Sequence, residues 1–324
     1  MGLARWVASF VRHPMFVSLL GLARPAKGAR LGTVNYETPS HATVRYNTRG
    51  SVWSLLYCMF PQLWTNLTHI VTHIAQKLHI LPEGKRVGRP LAINPLDAVI
   101  WGLYWHQSTR ATKKSVYDDF KEAIPCSYKA FVEAINRSAR LVLLILAYLM
   151  RLGRKDQHLV KYTDATDIPV CLTKNGTHHK TMQGLAAWGH SGKGFYFGLE
   201  MTMTRDAAGR LLALRFTPAN TDDRDIFCKI NEHIEGIIVA DAGYVSKQLE
   251  RDMNNDRRWI LIKPYKNMKK LAEAWQLHLY KKRFDIEFDF RNLKLFHGLV
   301  TSLPRSVNGY FANYLYALLS FVLA

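Results

Sequence analysis

The 324-residue chain predicts an α/β fold: a central mixed sheet with helices packed on it, preceded by a small helical region. Three observations carry this. From about residue 159 the apolar pattern changes from helical spacing to short alternating or continuous runs separated by helices. The order that results is three strands, helix, strand, helix, strand, helix, which a mixed sheet with flanking helices accommodates. An apolar fraction of 48% with 12% aromatics supplies a sizeable core and excludes a disordered chain.

Residues 1–50 show no sustained periodicity and carry glycine, proline and threonine punctuation, so they predict a flexible basic arm. Their first thirty residues are acid-free and arginine-containing, as in a transit peptide. Pro14 and Pro25 interrupt the amphipathic pattern and favour a dispensable extension or a reading frame started upstream. An apolar helical pattern covers 52–78, and 83–90 form a basic, glycine-containing loop suited to phosphates or to a solvated linker. Asn94-Pro95 opens a helix through Trp105, with proline acceptable in the first turn. Further helices are predicted over 115–123 and, capped by Ser127, over 128–150 with a break near Arg137. Residues 51–155 thus predict a helical domain, compatible with a helix-turn-helix-like DNA reader.

Strands are predicted at 159–164, 194–204 and 211–217, the last two joined by a turn at Asp206-Ala-Ala-Gly209. A helix over 220–235 leads to the buried-type strand 237–240. A helix at 246–255, a strand at 259–262, and one long or broken helix over 268–299 follow. The apolar run 141–150 and the tail 310–324 are too short to span a membrane and predict core helices.

Net charge is +19, which points to a polyanionic partner. It is unevenly placed, since +14 lies in residues 1–155 while 156–324 carry eighteen of the twenty-five acids. An N-terminal part that grips DNA and a C-terminal part rich in carboxylates fit this division. The four cysteines stand far apart with no CxxC pair, which excludes a cysteine-rich zinc ribbon and a disulfide framework and indicates a reducing compartment. His69 with His73, and the adjacent His178 and His179, lack a third ligand at metal-site spacing.

Tyr280, Arg283, Glu287 and Lys294 follow one another at spacings of three, four and seven. On a helix these stack on one face, offering one carboxylate, two cations and a tyrosine. The neighbouring Asp285 and Asp289 lie roughly 200° around the helix and point away. Two-metal phosphoryl transfer needs further carboxylates converging from other elements. Asp164 is placed at the end of the first strand, and Asp241 directly after the apolar strand 237–240, before Gly243. Sheet enzymes put functional groups at such carboxyl ends. Asp222, Asp223 and Asp225 are accounted for by helix capping.

At these residues the chain resembles the insertion-sequence transposases of the DDE type, whose core has a ribonuclease H-like fold. Tyr280-x2-Arg283-x3-Glu287-x6-Lys294 reproduces their tyrosine-arginine-glutamate-lysine signature. The stretch from Asp164 to Cys171 is similar to the first-aspartate motif, and 189–198 to the glycine-rich strand after it. Pro218-Ala-Asn220 with Asp222-Asp223, then Asp241-Ala-Gly-Tyr244, resemble the motifs leading to the second aspartate. The resemblance covers about 159–324. Residues 125–137 are more weakly similar to the family's helical N-terminal region. Family members often carry a lysine and a histidine where this chain has Leu199-Glu200-Met201-Thr202.

The resemblance implies a ribonuclease H-like catalytic domain over 156–324. Asp164, Asp241 and Glu287 would be both the catalytic residues and the ligands of two Mg2+ ions, with Mn2+ as a substitute. Tyr280, Arg283 and Lys294 would contact DNA, the cations neutralising phosphate and Tyr280 stacking or hydrogen-bonding near the terminal nucleotide. The reaction implied is strand cleavage at element ends, followed by strand transfer into target DNA. It implies terminal inverted repeats and target DNA as partners, a homodimer in the synaptic complex, and a cytoplasmic, nucleoid-associated location in a bacterium. Two other readings share these residues: a structure-selective nuclease that never joins strands, and a decayed or domesticated DNA-binding protein without catalysis. Inverted repeats flanking the gene separate the transposase from the nuclease.

Overall fold

The computed structural model describes residues 53–80, 91–108, 112–263 and 273–324. The predicted arm over 1–50, the basic loop 83–90 and the start of the helix expected from residue 268 lie outside them. The chain divides into a unit of residues 1–59 and a larger unit of residues 60–324.

Helix α1 spans Trp53–Lys77, and in its second half Leu67, Val71, Ile74 and Ala75 are buried at helical spacing. Helix α2 (Pro95–Gln107) begins where the Asn94 side chain accepts from the Leu96 amide, with Pro95 in the first turn. The short α3 (Lys113–Asp119) has a capping box between Thr112 and Ser115. Helix α4 (Tyr128–Lys155) is capped by Ser127. It runs unbroken past Arg137, because its apolar face keeps one register from Phe131 to Met150.

The sheet follows. Strands β1 (Val160–Pro169), β2 (Ala187–Ser191), β3 (Gly194–Asp206) and β4 (Leu211–Pro218) precede helix α5 (Asp223–Asn231). Then come β5 (Gly236–Ala240), α6 (Lys247–Met253), β6 (Arg258–Ile262), α7 (Ala274–Lys282), α8 (Phe284–Leu295) and α9 (Val307–Val322). The sheet order is β2-β3-β1-β5-β6, with β4 also on β3. β3 runs antiparallel to β1, whereas β5 is parallel to β1 and β6 parallel to β5. This is the mixed sheet with flanking helices that the sequence predicts.

The structure departs from the sequence expectation in two strands and decides one alternative left open there. β1 continues to Pro169, so Asp164 sits within the strand and not at its end. The polar run Ala165–Asp167 reads as a turn in isolation, but the thirteen-residue β3 pairs with all of it. The apolar pattern does not mark β2, although the resemblance places a glycine-rich strand over 189–198. β2 is five residues long, and its Gly189 and His190 give no strand signal; it exists because it folds back on β3. The long C-terminal helix is broken at Arg283 into α7 and α8.

Two packing regions hold the sheet in place. On one side Phe227, Ile238, Leu249, Met253 and Ile260 form a core between α5, α6 and the parallel strands. A buried polar network joins that side to the strands, with Thr163 Oγ1, Thr204 Oγ1 and Asn231 Oδ1 within 2.8–3.2 Å of one another. Elsewhere the buried α9 joins the sheet to the helical region. Its Tyr310 hydroxyl donates to the Val170 carbonyl at 2.9 Å, and its Tyr316 hydroxyl to the Ile135 carbonyl of α4 at 3.1 Å. Tyr316 lies so close to Gly102 of α2 that a Cβ there would stand 2.3 Å from the ring. No helix among the described residues is long and apolar enough to cross a membrane.

Candidate active site

The parallel pairing of β1 with β5 sets the first two carboxylates. Val160 is opposite Ile237 and Tyr162 opposite Val239. Continuing that register by two residues brings Asp164 beside Asp241, on neighbouring strands about 4.8 Å apart. Asp241 follows β5 directly and begins the short 3-10 turn Ala242–Tyr244 without capping it by side chain. The third carboxylate comes from α8. Glu287 lies in its first turn, one turn beyond Arg283.

Arg283 occupies the centre of the three. Its Nη1 donates to Asp164 Oδ2 at 2.7 Å and its Nη2 to Glu287 Oε1 at 2.8 Å, while Nη2 stands 3.6 Å from Asp241 Oδ1. The guanidinium is only 5% exposed, whereas Asp241 and Glu287 are 43% and 45% exposed. A cation buried among carboxylates that open to solvent makes a pit with acidic walls. Burial pushes the Asp164 carboxyl up to about 6, against the opposing pull of Arg283 and of the Ala165 amide.

The other residues of the signature are placed as follows. Lys294 donates to Asp167 Oδ1 at 2.9 Å, and burial lowers its ammonium. Tyr280 is turned inward, 6% exposed, with its hydroxyl donating to the Ile262 carbonyl at 3.0 Å. The structure thus brings Asp164, Asp241, Glu287 and Arg283 together, pairs Lys294 with Asp167, three residues after Asp164 in β1, and commits Tyr280 to the end of β6. Asp289 pairs with Arg205 at 2.6 Å, and Arg205 also donates to the Asp285 carbonyl. The Asp289 carboxylate is therefore on the other side of α8, as its position around the helix requires.

A second acidic group adjoins the first. In the β1–β3 ladder Asp167 lies opposite Glu200. Burial first, then a hydrogen bond to Asp223 and the charges of Asp223, Asp167 and Asp164, push Glu200 up to about 8. Asp222 is the residue that caps α5. Asp223, one position on, turns to Glu200. Tyr244 is 4% exposed and its hydroxyl is buried without a hydrogen-bond partner. Its phenol is raised well above the usual range by burial and by Asp164, Asp223, Glu200 and Asp241. Sequence reasoning missed this group. The strand register opposite Asp167 is the signal that exposes it, and it needs the full length of β1.

Comparison with known families decides what this site belongs to. Residues 154–306 match the family model described as a transposase DDE domain. That segment of the chain is thus similar to the DDE domain of transposases. The match spans β1 through α8 and so contains Asp164, Asp241 and Glu287, together with Arg283 and Lys294. No curated protein matches the sequence. Among solved structures, the chain is loosely similar to a piggyBac transposase in a synaptic complex with hairpin DNA. The identity is 8% and the TM-score 0.44, over 81% of this chain and 72% of that one. The DDE transposases act on DNA with divalent metal ions, and the oxygen-only donors of the triad fit a hard cation of that kind. In the structure those oxygens face Arg283; among the described residues no three His, Cys, Asp or Glu side chains are drawn together as a metal site.

Proposed function

We propose that the chain is a DDE transposase that cuts at the ends of its element and joins the freed 3′ ends to target DNA, with Asp164, Asp241 and Glu287 as the catalytic carboxylates and Mg2+ as the cation they hold. The observation that carries the proposal is the convergence of these three side chains, from two neighbouring parallel strands and a helix, on one buried positive charge. Two bound Mg2+ would supply an activated attacking oxygen and stabilise the leaving oxygen of an in-line displacement.

The chain's own residues do the rest. Asp164 and Asp241 are held by the sheet and set the spacing of the site; Glu287 closes it from α8. Lys294, anchored on Asp167, presents a cation at the edge of the pit, where it neutralises a phosphate oxygen. Arg283 is the second phosphate cation. Tyr280 is assigned the bracing of α7 on β6, which keeps Arg283 in place among the carboxylates. The helical residues 51–155, with fourteen Lys and Arg against six acids, hold the flanking DNA, and two copies meet in the synaptic complex.

The test is cleavage and strand transfer on a labelled duplex carrying the element's terminal repeat, with Mg2+ or Mn2+ present. Glu287→Gln is expected to lose both activities while keeping repeat binding within about threefold, since an amide preserves shape but not charge. Full cleavage by that variant removes Glu287 from the site.

A further inference from the structure

We infer that Arg283 is an exchangeable counter-cation: it holds the three catalytic carboxylates together before metal is bound, and must leave them for metal to enter. This deepens the proposed function and rests on it.

The geometry has three parts. First, the guanidinium touches the same oxygens that the cation needs. It lies 2.7 Å from Asp164 Oδ2, 2.8 Å from Glu287 Oε1 and 3.6 Å from Asp241 Oδ1. A magnesium ion approaches carboxylate oxygen at about 2.0–2.1 Å and keeps near-octahedral neighbours, so the two cations exclude each other from these atoms. Second, the arrangement answers a charge problem. Asp164, Asp241 and Glu287 without a partner would repel, and Asp167, Glu200 and Asp223 add to the acidity alongside. A guanidinium is always charged and offers a planar fork of donors, so one side chain can serve several carboxylates at once.

Third, the residue is placed to move. Arg283 is the single residue between α7 and α8, and its amide bonds the Leu279 carbonyl while its carbonyl accepts from Ile286. Its side chain is mounted at a joint and not in mid-helix. Its Nε is buried without a hydrogen-bond partner, so the docked state leaves one donor unmet and gives it a reason to release. The half-exposed Phe284 ring lies 5.4 Å from the guanidinium, a cation–π surface on the side towards solvent. An arginine displaced along that surface presents its fork to a DNA phosphate, the ligand such a fork fits best. Metal loading and phosphate capture are then one exchange of partners.

The test is titration of the full chain with Mn2+, without DNA, by calorimetry for the wild type, Arg283→Lys and Arg283→Gln. Removing the competitor also leaves the carboxylates unneutralised, and both effects favour the metal. Arg283→Gln is expected to bind Mn2+ about tenfold more tightly, the scale of displacing charge-assisted hydrogen bonds net of solvation. Arg283→Lys, which keeps the charge but loses the planar fork, is expected to fall between. Unchanged or weaker Mn2+ binding in these variants overturns the exchange. If Arg283→Gln fails to fold, Arg283→Lys decides alone by the same direction. Glu287→Gln separates the two claims: loss of Mn2+ binding there upholds the carboxylate site even if the arginine variants do not tighten. Retention of Mn2+ binding by Glu287→Gln refutes the site itself.

Discussion

Replacing Tyr280 with Phe separates a tyrosine that braces the catalytic helices from one that touches DNA. The ring of Tyr280 is buried, and its hydroxyl donates to the Ile262 carbonyl at the end of β6, 3.0 Å away. Phenylalanine keeps the ring and its packing, so no cavity opens. What is lost is one hydrogen bond, and what remains is a buried acceptor without that donor. Leaving a buried polar group unmet costs about 1–3 kcal/mol. In domains of 150–250 residues 1 kcal/mol shifts the melting temperature by about 2–4 °C. The compact unit of residues 60–324 is slightly larger, so the lower end applies and the expected shift is about 2–6 °C downward. Melting is followed by calorimetry, and binding to the terminal repeat by fluorescence anisotropy. DNA affinity is expected to stay within twofold. An unchanged melting temperature with tenfold weaker DNA binding would refute the bracing role and return Tyr280 to the DNA contacts its place in the signature suggested.

Two further changes test the sheet and the second acidic group. In Gly198→Ala a Cβ would stand 2.2 Å from the Ile168 carbonyl oxygen and 3.0 Å from the Pro169 Cα, both backbone atoms of β1. The strand bearing Asp164 and Asp167 has to shift, at a cost of about 1–3 kcal/mol. A lower melting temperature together with reduced cleavage is expected; a variant equal to wild type in both would show that β1 and β3 are not so closely apposed. Glu200→Gln should change the pH dependence of stability. The Glu200 carboxyl, raised to about 8 in the fold, keeps its proton from its usual 4.5 upward while the unfolded chain releases it. The folded state then binds more protons than the unfolded, so stability falls as pH rises from about 4.5 to about 8. Glutamine mimics the neutral acid and does not suffer that loss. Melts in EDTA should show the variant gaining on wild type across that window and levelling off above it. A difference independent of pH would contradict the raised value.

The residues that the sequence made readable are those with a local signal. The helix-face spacing of Arg283, Glu287 and Lys294 and the apolar run before Asp241 each identify themselves within a few positions. Asp285 and Asp289 could be set aside for the same reason; the Asp289 carboxylate is found on Arg205, which also donates to the main-chain carbonyl of Asp285. What stayed hidden depends on pairing over long separations. The last five residues of β1 look like a turn until β3 is laid against them. Glu200 looks like a stray acid in an apolar strand until it stands opposite Asp167. Asp223 was absorbed into helix capping because Asp222, its neighbour, does cap. The inward turn of Tyr280 was equally unreadable, because its partner carbonyl belongs to a strand eighteen residues earlier.

The β1–β5 ladder has a consequence for how this site tolerates change along the chain. The separation of Asp164 from Asp241 is set by main-chain hydrogen bonds between adjacent strands, and no side-chain packing is needed to measure it. Chain added between Pro169 and Gly236, at the hairpin tips or around α5, leaves that ruler untouched. The loss of one residue inside the five of β5 does not, because the period of two turns every following side chain to the opposite face of the sheet. The spacing of the two aspartates is therefore insensitive to the length of the loops that surround it and acutely sensitive to a single step of strand register.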